Sequence, residues 1–360
     1  MRRTLDIVVL GLSLSSSWGN GHATTWRALL RGLAAAGHRV LFLEREVPWY
    51  AAHRDLTDPD FCELAFYDGL DALHGRFAER IRDADAVLVG SYVPDGIAVL
   101  DLVLACARGV RAFYDIDTPV TLAALRRGDC AYLAAAQIAR LDVYLSLSGG
   151  PTLRHLAEQY GARRPRAFYC AVDEQRYRPE TQAARWDLGY LGTYSPDRQP
   201  TLDRLLLEPA RRLPHRHFVV AGSQYPNDIV WPANVERIEH LPPVSHTGFY
   251  AAQRFTLNVT RADMIAAGWS PSVRLFEAAA CATPIISDRW EGLTELFPED
   301  EAVLIADASE DVVRSLVSPG DAERCLIGER ARAIVLAGHT GSARAQALED
   351  IVAEVAQAIA

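Results

Sequence analysis

The sequence has no apolar run close to the ~20 residues that a membrane-spanning helix needs. It has no Cys-x-x-Cys pair. Its six cysteines (Cys62, Cys106, Cys130, Cys170, Cys281 and Cys325) lie far apart, a pattern of reduced thiols rather than of a disulfide frame or a zinc site. It has no excess of positive charge. The net charge of −9 argues against general nucleic-acid affinity and leaves room only for a local basic pocket. No short-period repeat and no low-complexity tract occurs. There is no Gly-x-Gly-x-x-Gly and no Walker loop, so the glycines alone indicate neither a dinucleotide nor a phosphate. The start, Met1-Arg2-Arg3 followed by Leu5 to Leu10, superficially resembles a signal peptide. It lacks a small-residue cleavage site and runs directly into Gly19-Asn20-Gly21 and a helix-like pattern, so it reads as a first strand. The expectation is a cytoplasmic globular protein, with nothing that indicates peripheral membrane contact.

At 360 residues the chain is long for one core, and two domains are expected. Short β-branched or apolar runs alternate with helix-period segments throughout. Candidate strands are Asp6–Leu12, Val40–Glu44, Ala86–Gly90, Arg111–Ile116, Val143–Leu147 and Ala167–Ala171. A second series follows at Leu188–Thr193, His217–Ala221, Val235–Glu239, Phe255–Val259, Pro284–Ser287 and Ala302–Ile305. Between the first two strands, Trp26, Leu29, Leu30 and Leu33 fall at helical spacing and Gly37 stands as a C-cap. Such alternation predicts parallel sheets covered by helices on both faces. The charged, Pro179-containing segment Asp173–Arg185 separates the two series. Two Rossmann-like domains follow, with ligands expected beyond the carboxyl ends of the strands and in the cleft between domains.

The densest signal is Ser270 to Asp288. Ser270-Pro271 reads as a helix start. Glu277 sits among Leu275, Phe276 and a run of alanines, and Thr283-Pro284 ends the helix before an apolar strand. A carboxylate in so apolar a helix needs a partner. That partner is either Arg274, three residues earlier on the same face, or a ligand hydroxyl. Other candidates also follow strands. In Ser13–His22, Gly19 and Gly21 permit tight turns. His22 is either a general base on an acceptor hydroxyl or a locally bonded first-turn histidine. Asp115 and Asp117 form an Asp-x-Asp pair that fits a divalent metal, a helix start at Asp117-Thr118-Pro119, or a group that orients His22 or contacts the acceptor. In Gly192–Arg198, Arg198 is either a diphosphate contact or a solvated turn residue. Asn258 and Arg261, past a further strand, are expected to converge with Arg274 and Glu277.

Together these residues resemble the GT-B glycosyltransferases of the group 1 type, closest to the CgeB-like branch, over nearly the whole chain. Cys170-Ala171-Val172-Asp173 through Tyr177-Arg178-Pro179 is similar to the family's Asn-Gly-Val-Asp-x-x-x-Phe-x-Pro linker without its Asn-Gly. Leu191-Gly192-Thr193 through Arg198 is similar to Val-Gly-Arg-x-x-x-x-Lys, with Thr193 at the Arg and Arg198 at the Lys. Glu277-Ala278-Ala279-Ala280-Cys281-Ala282-Thr283-Pro284 matches the second half of the Glu-x7-Glu signature, whose first Glu is replaced by Trp269.

The resemblance implies an α/β GT-B fold: an N-terminal acceptor domain (1–172), a C-terminal nucleotide-sugar donor domain (173–341) facing it across a cleft, and a final helix (342–360) crossing back onto the first domain. It implies transfer from a nucleoside diphosphate sugar, such as a UDP-sugar, to a hydroxyl acceptor by an enzyme of the hexosyltransferase type (EC 2.4), with domain closure over the donor. The implied donor contacts are Gly192, Thr193, Arg198, Asn258, Arg261, Ser272, Val273, Arg274 and Glu277, with Glu277 on the ribose. His22, similar to the Gly-His of inverting members, is the implied base, with Asp117 beside it. Asn20, Gly21 and Asp115 are implied acceptor-side or loop residues. No metal and no cofactor are expected, because GT-B enzymes neutralise the leaving diphosphate with side chains and helix N-termini. No nucleic-acid partner is expected. Trp269 leaves open an inverting or retaining outcome. It also leaves open a non-catalytic nucleotide-sugar binding protein on the same scaffold, and a sugar-nucleotide epimerase or phosphorylase stands as a further alternative.

Overall fold

The apolar runs form strands that are buried on both faces. Ile7, Val8, Val9 and Leu10 are each at most 3% exposed, which suits a central position in a parallel sheet and not an alternating surface strand. A computed structural model describes residues 3–19, 21–318 and 320–359, and its chain divides into two compact units.

The first unit comprises Met1–Asp173 and His339–Ala360. Its strands are β1 (Asp6–Gly11), β2 (Arg39–Arg45), β3 (Glu63–Tyr67), β4 (Ala86–Gly90), β5 (Val110–Asp115), β6 (Val143–Ser146) and β7 (Pro165–Ala167). They pair in parallel in the order β3-β2-β1-β4-β5-β6-β7, with Val9 of β1 opposite both Phe42 and Leu88. The second unit, Glu174–Gly338, holds β8 (Trp186–Leu191), β9 (Phe218–Ala221), β10 (Val235–Ile238), β11 (Gln253–Asn258), β12 (Ile285–Ser287) and β13 (Leu304–Ile305). Their order is β10-β9-β8-β11-β12-β13, and Leu257 of β11 lies opposite Tyr190 and Ile286. Both are doubly wound Rossmann-like sheets. The strand order reverses between β1 and β4 in one and between β8 and β11 in the other. A crevice opens beyond the strand ends at such a reversal, so these positions are where ligands are expected.

Three local expectations are corrected. Between the expected strands Val40–Glu44 and Ala86–Gly90, where no strand is expected, lies β3. It is a five-residue edge strand with most of its residues only half buried, so its hydrophobic signal is weak. The strand expected at Ala167–Ala171 is Pro165–Ala167. Phe168, Cys170 and Ala171 are buried because the chain there packs against the returning C-terminal segment: Val172 N–H donates to the His339 carbonyl and Gly341 N–H to the Val172 carbonyl. The helix expected to start at Ser270-Pro271 spans Val273–Ala280 with Ser272 as its N-cap. The Ser270 hydroxyl turns back to the Gly268 carbonyl, which holds residues 268–271 in a loop.

The helix Gly341–Ile359 lies along the helix Gly21–Ala35 within the first unit. Their contact is backbone to backbone. A Cβ on Gly32 would meet the Gly341 carbonyl oxygen at 2.2 Å, and one on Gly341 would meet the Ala28 carbonyl oxygen at 2.1 Å. Neither atom is the end of a flexible side chain, so a methyl group must part the helices. The Gly32→Ala variant is expected to lose about 1–3 kcal/mol of stability, the range of overpacking. A melting temperature within a degree of the parent would refute this close approach.

Candidate active site

In the second unit, the ends of β8 and β11 deliver the polar residues singled out in the sequence to the switch point. Asn258 ends β11, and its Oδ1 accepts from the Ser272 hydroxyl (2.9 Å) and from Arg274 Nη1 (3.0 Å). Its Nδ2 donates to the hydroxyls of Ser287 (2.9 Å) and Thr260 (3.1 Å). Arg274 also donates from Nε to the carbonyl of Leu191, the last residue of β8, and its guanidinium lies 4.7 Å over the Tyr190 ring. Gly192 follows, and a Cβ there would meet Arg274 Nη2 at 2.8 Å and the Tyr190 hydroxyl at 2.5 Å. Glycine is what lets this guanidinium lie against the strand end. Because the Ser272 side chain is committed to Asn258, it does not cap its own helix. The first backbone N–H groups, from Val273 onward, then stand at a positive helix terminus.

Arg198 lies on the loop that leaves β8. One Nη2–H goes to the Thr193 carbonyl, and its Nε is buried without a hydrogen-bond partner among the described residues. Burial lowers the pKa of Arg198, and the nearby charges of Arg274 and Arg261 lower it further. Among the described residues none of these three arginines forms an ion pair. Arg261 is exposed at the head of the helix Ala262–Ala267. That helix is tied to the Arg198 loop by Asp197, whose carboxylate accepts the Ala262 N–H. Thr193 is exposed and offers its hydroxyl beside this cluster. The sequence contains no lysine, so every fixed cation is a guanidinium with forked donors suited to phosphate oxygens.

Glu277 departs from one of its two expectations, the pairing with Arg274. Arg274, bonded to Asn258 and Leu191, is not its partner. The carboxylate is 3% exposed and accepts from two tyrosine hydroxyls, Tyr177 at 2.9 Å and Tyr250 at 3.0 Å. Neither tyrosine was singled out in the sequence. The available signal was Tyr177 itself, which puts a hydroxyl where the linker motif has phenylalanine. Trp269, at the place of the family's first glutamate, is fixed by its own contacts. Its indole N–H donates to Glu295 and its ring fills the space over Gly292.

In the first unit, His22 and Asp117 meet. His22 Nε2 lies 3.0 Å from Asp117 Oδ2, in the first turn of Gly21–Ala35 and at the N-cap of Thr118–Arg127 respectively. Asp117 makes no side-chain cap bond because its carboxylate is turned to the imidazole. Tyr92, which follows β4, packs edge-on against His22 at 5.5 Å and holds a φ of 62°. A bulky residue in the left-handed region stores strain and marks a position fixed by its surroundings. Nothing in the sequence announced it. Gly21 opens the histidine's helix, while Asn20 lies outside the described residues.

Asp115, expected as an acceptor-side or loop residue, is the last residue of β5 and is fully buried. The hydroxyls of Tyr144 (2.5 Å) and Thr121 (2.7 Å) donate to it, and it accepts the Asp117 N–H at 3.3 Å. It supports Asp117 from behind and has no surface to offer an acceptor. Burial pushes its pKa up to about 6, against the lowering effect of its hydroxyl donors. No group of three or more potential metal-binding His, Cys, Asp or Glu side chains occurs among the described residues.

The two units thus carry a cluster of arginines near a helix N-terminus and, separately, a histidine–carboxylate pair. Both sit beyond the carboxyl ends of Rossmann-like sheets. Residues 198–350 match a protein-family model described as glycosyl transferase-like. No curated protein matches the chain by sequence. Solved structures similar over the full length include sucrose-phosphate synthase from Thermosynechococcus elongatus, with 15% identity, 99% of this chain and 100% of that one covered, and a TM-score of 0.69. Anabaena Alr3699/HepE in complex with UDP and glucose is similar at 13% identity, 97% and 100% coverage and a TM-score of 0.67. An alpha-glucosyltransferase in complex with UDP-glucose and DNA containing an abasic site is similar at 14% identity, 98% and 100% coverage and a TM-score of 0.71. The fold is that of the GT-B glycosyltransferases. No helix among the described residues is long and apolar enough to cross a membrane.

The raised pKa of Asp115 has a consequence for stability. A carboxyl group titrating near 6 when folded and near 3.8 when unfolded binds more protons in the folded state between those values. Its contribution therefore falls as pH rises through this window, by about 3 kcal/mol at full ionisation. In the Asp115→Asn variant this contribution does not titrate. The difference in melting temperature, variant minus parent, is expected to become more positive between pH 4 and pH 7. A difference independent of pH would show that Asp115 titrates alike in both states.

Proposed function

We propose that the protein is a glycosyltransferase of the CgeB-like group 1 branch that moves a sugar, of the hexosyl type, from a UDP-sugar to a hydroxyl acceptor in the cytoplasm, without a metal. The observation that carries this reading is the trio Arg198, Arg261 and Arg274, cations without carboxylate partners gathered at a strand-order switch point beside the N-terminus of Val273–Ala280. Uncompensated guanidinium charge at such a place is matched by a diphosphate. The UDP-containing complexes of proteins with the same fold support uracil as the base.

The residues divide the work by unit. Arg198 and Arg261 meet the diphosphate from the loops after β8 and β11. Arg274 Nη2 reaches it past Gly192, and the Val273 N–H adds a neutral donor. Thr193 contributes a hydroxyl where other group 1 chains carry a second charge. Asn258 and Ser272 keep Arg274 in position. Glu277 carries the ribose hydroxyls on the lone pairs left over from its two tyrosine bonds. As the diphosphate leaves, its developing charge falls to these donors, a task that elsewhere is often given to a metal. In the first unit, Asp117 accepts the Nε2–H of His22. This orients the imidazole and stabilises the imidazolium formed when the acceptor hydroxyl gives up its proton. With a base in place, an inverting displacement follows.

The donor assignment is tested by calorimetry with UDP, GDP and ADP in buffer containing EDTA. UDP is expected to bind, and Arg198→Ala to weaken it about 10–100-fold, the worth of one or two charge-assisted bonds. Equal affinity in the variant, or binding only with added metal, would overturn it. The base is tested by transfer kinetics. Removing His22 (His22→Ala) is expected to lower kcat about 100-fold or more. Near-full activity would instead favour a retaining route, which needs no protein base. UDP binding with no release of UDP from any UDP-sugar would identify the second reading, a nucleotide-sugar binding protein. The specific observation on that side is Trp269, packed firmly where the family's first glutamate stands.

A further inference from the structure

Beyond the carboxyl ends of β1 and β2, three aromatic rings form a column. The Trp18 indole stacks on the His53 imidazole at 4.7 Å and 16°, and the Trp49 indole leans on His53 at 5.3 Å. Both indoles face solvent, Trp49 at 60% exposure and Trp18 at 37%. Scattered single apolar residues on a surface need no explanation. Two exposed indoles sharing one imidazole, one of them four residues before His22 in the chain, do need one.

The column is held from beneath by polar bonds that use neither indole. Asp55 accepts from Ser17 N–H and hydroxyl and from both Arg27 Nη groups, while Arg27 Nε and Nη2 also bond the Leu14 carbonyl. Burial alone would raise the pKa of Asp55, but the Arg27 and Ser17 bonds outweigh it and hold the group ionised. Glu44 gathers the Ser13 hydroxyl, the Leu14 and Ser15 N–H groups and the Ser15 hydroxyl. The loop after β1 is thereby locked to the loop after β2, and the rings are presented already ordered, which lowers the entropy cost of binding.

The charge of the segment that carries Trp49 and His53 selects the ligand. Along residues 46–60 there are four acids, Glu46, Asp55, Asp58 and Asp60, against one arginine, Arg54. Glu46 pairs with Arg54 and Asp55 with Arg27, while Asp58 and Asp60 are exposed without a described ion pair. The excess of negative charge along this segment repels polyanions. It suits a neutral ligand with a flat apolar face and many hydroxyl donors, which describes a sugar ring: its C–H face covers an indole and its hydroxyls meet carboxylates. We infer that Trp18, His53 and Trp49 form a stacking platform for a neutral oligosaccharide, and that this saccharide is the acceptor. The second half of the inference rests on the glycosyltransferase reading.

Titration of the full chain with maltotetraose, cellotetraose and chitotetraose, followed by indole fluorescence and calorimetry, tests the platform without requiring turnover. At least one is expected to bind saturably. Trp49→Ala is expected to weaken binding roughly tenfold, with Trp49→Phe recovering part of the loss. The exposure of Trp49 means that the fold survives both changes, which the melting temperature checks. Binding left within twofold by both Trp18→Ala and Trp49→Ala overturns the platform, as does no binding of any of the three saccharides. So does preferential binding of a 13-mer DNA duplex or of phosphatidylglycerol vesicles. Saccharide binding that depends on Trp49, together with no UDP-sugar turnover, would sink the transferase reading and leave the platform standing.

Discussion

The second unit depends on one buried charge. The Arg274 guanidinium is 8% exposed and has no carboxylate partner among the described residues. Its neutral contacts are the Leu191 carbonyl, the Asn258 amide oxygen and the face of Tyr190. Burying a cation on neutral partners is costly, and the bonds of Nε and Nη1 to neutral acceptors offset part of that cost. Those acceptors are the ends of β8 and β11, the two strands between which the sheet order reverses. The same residue that fixes the switch point therefore keeps positive charge there. Asn258, Ser272, Thr260 and Asp288 form the hydrogen-bonded frame around it, with Asp288 accepting from the Thr260 N–H and hydroxyl. Arg198 adds a second cation and Arg261 a third, and the charges of Arg274 and Arg261 help to lower the Arg198 pKa.

The first unit uses the same topology for a different purpose. Its switch point carries negative charge and an imidazole. Asp115 is enclosed and supplies support through its bond to the Asp117 N–H. Asp117, one pleat further on, is the carboxylate that meets His22. The separation of roles follows from environment: the strand-end aspartate takes hydroxyl donors from Thr121 and Tyr144, while the helix-cap aspartate gives up its cap to hold a ring nitrogen. The strained Tyr92 backbone beside that ring belongs to the same arrangement.

Much of this was legible in the sequence because the strands are buried on both faces. Continuous runs such as Ile7–Leu10 and Phe218–Ala221 announce themselves, and Ala86–Gly90 begins and ends where the pattern does. The edge strand Glu63–Tyr67 was missed because one neighbour and partial burial leave little hydrophobic signal. Phe168–Ala171 reads as strand because burial alone does not say what does the burying. Ser270 resembled a cap, but a serine's hydroxyl goes to whichever carbonyl the loop presents, and that was Gly268.

The sequence by itself determined two doubly wound domains, the loops that carry polar residues past the strand ends, and the presence of arginine, histidine and aspartate at those positions. These follow from local periodicity and chain order, which are properties of neighbours in sequence. Only the tertiary structure decided the partners. Glu277 is satisfied by Tyr177, a hundred positions away, and by Tyr250. Asp115 is sealed in the core while Asp117 reaches His22. Trp18 and His53 are stacked by an Arg27–Asp55 clamp. Hydrogen bonds and ring contacts act over a few ångströms in space. The residues they join are brought together by the winding of the sheets, which no short window of sequence contains.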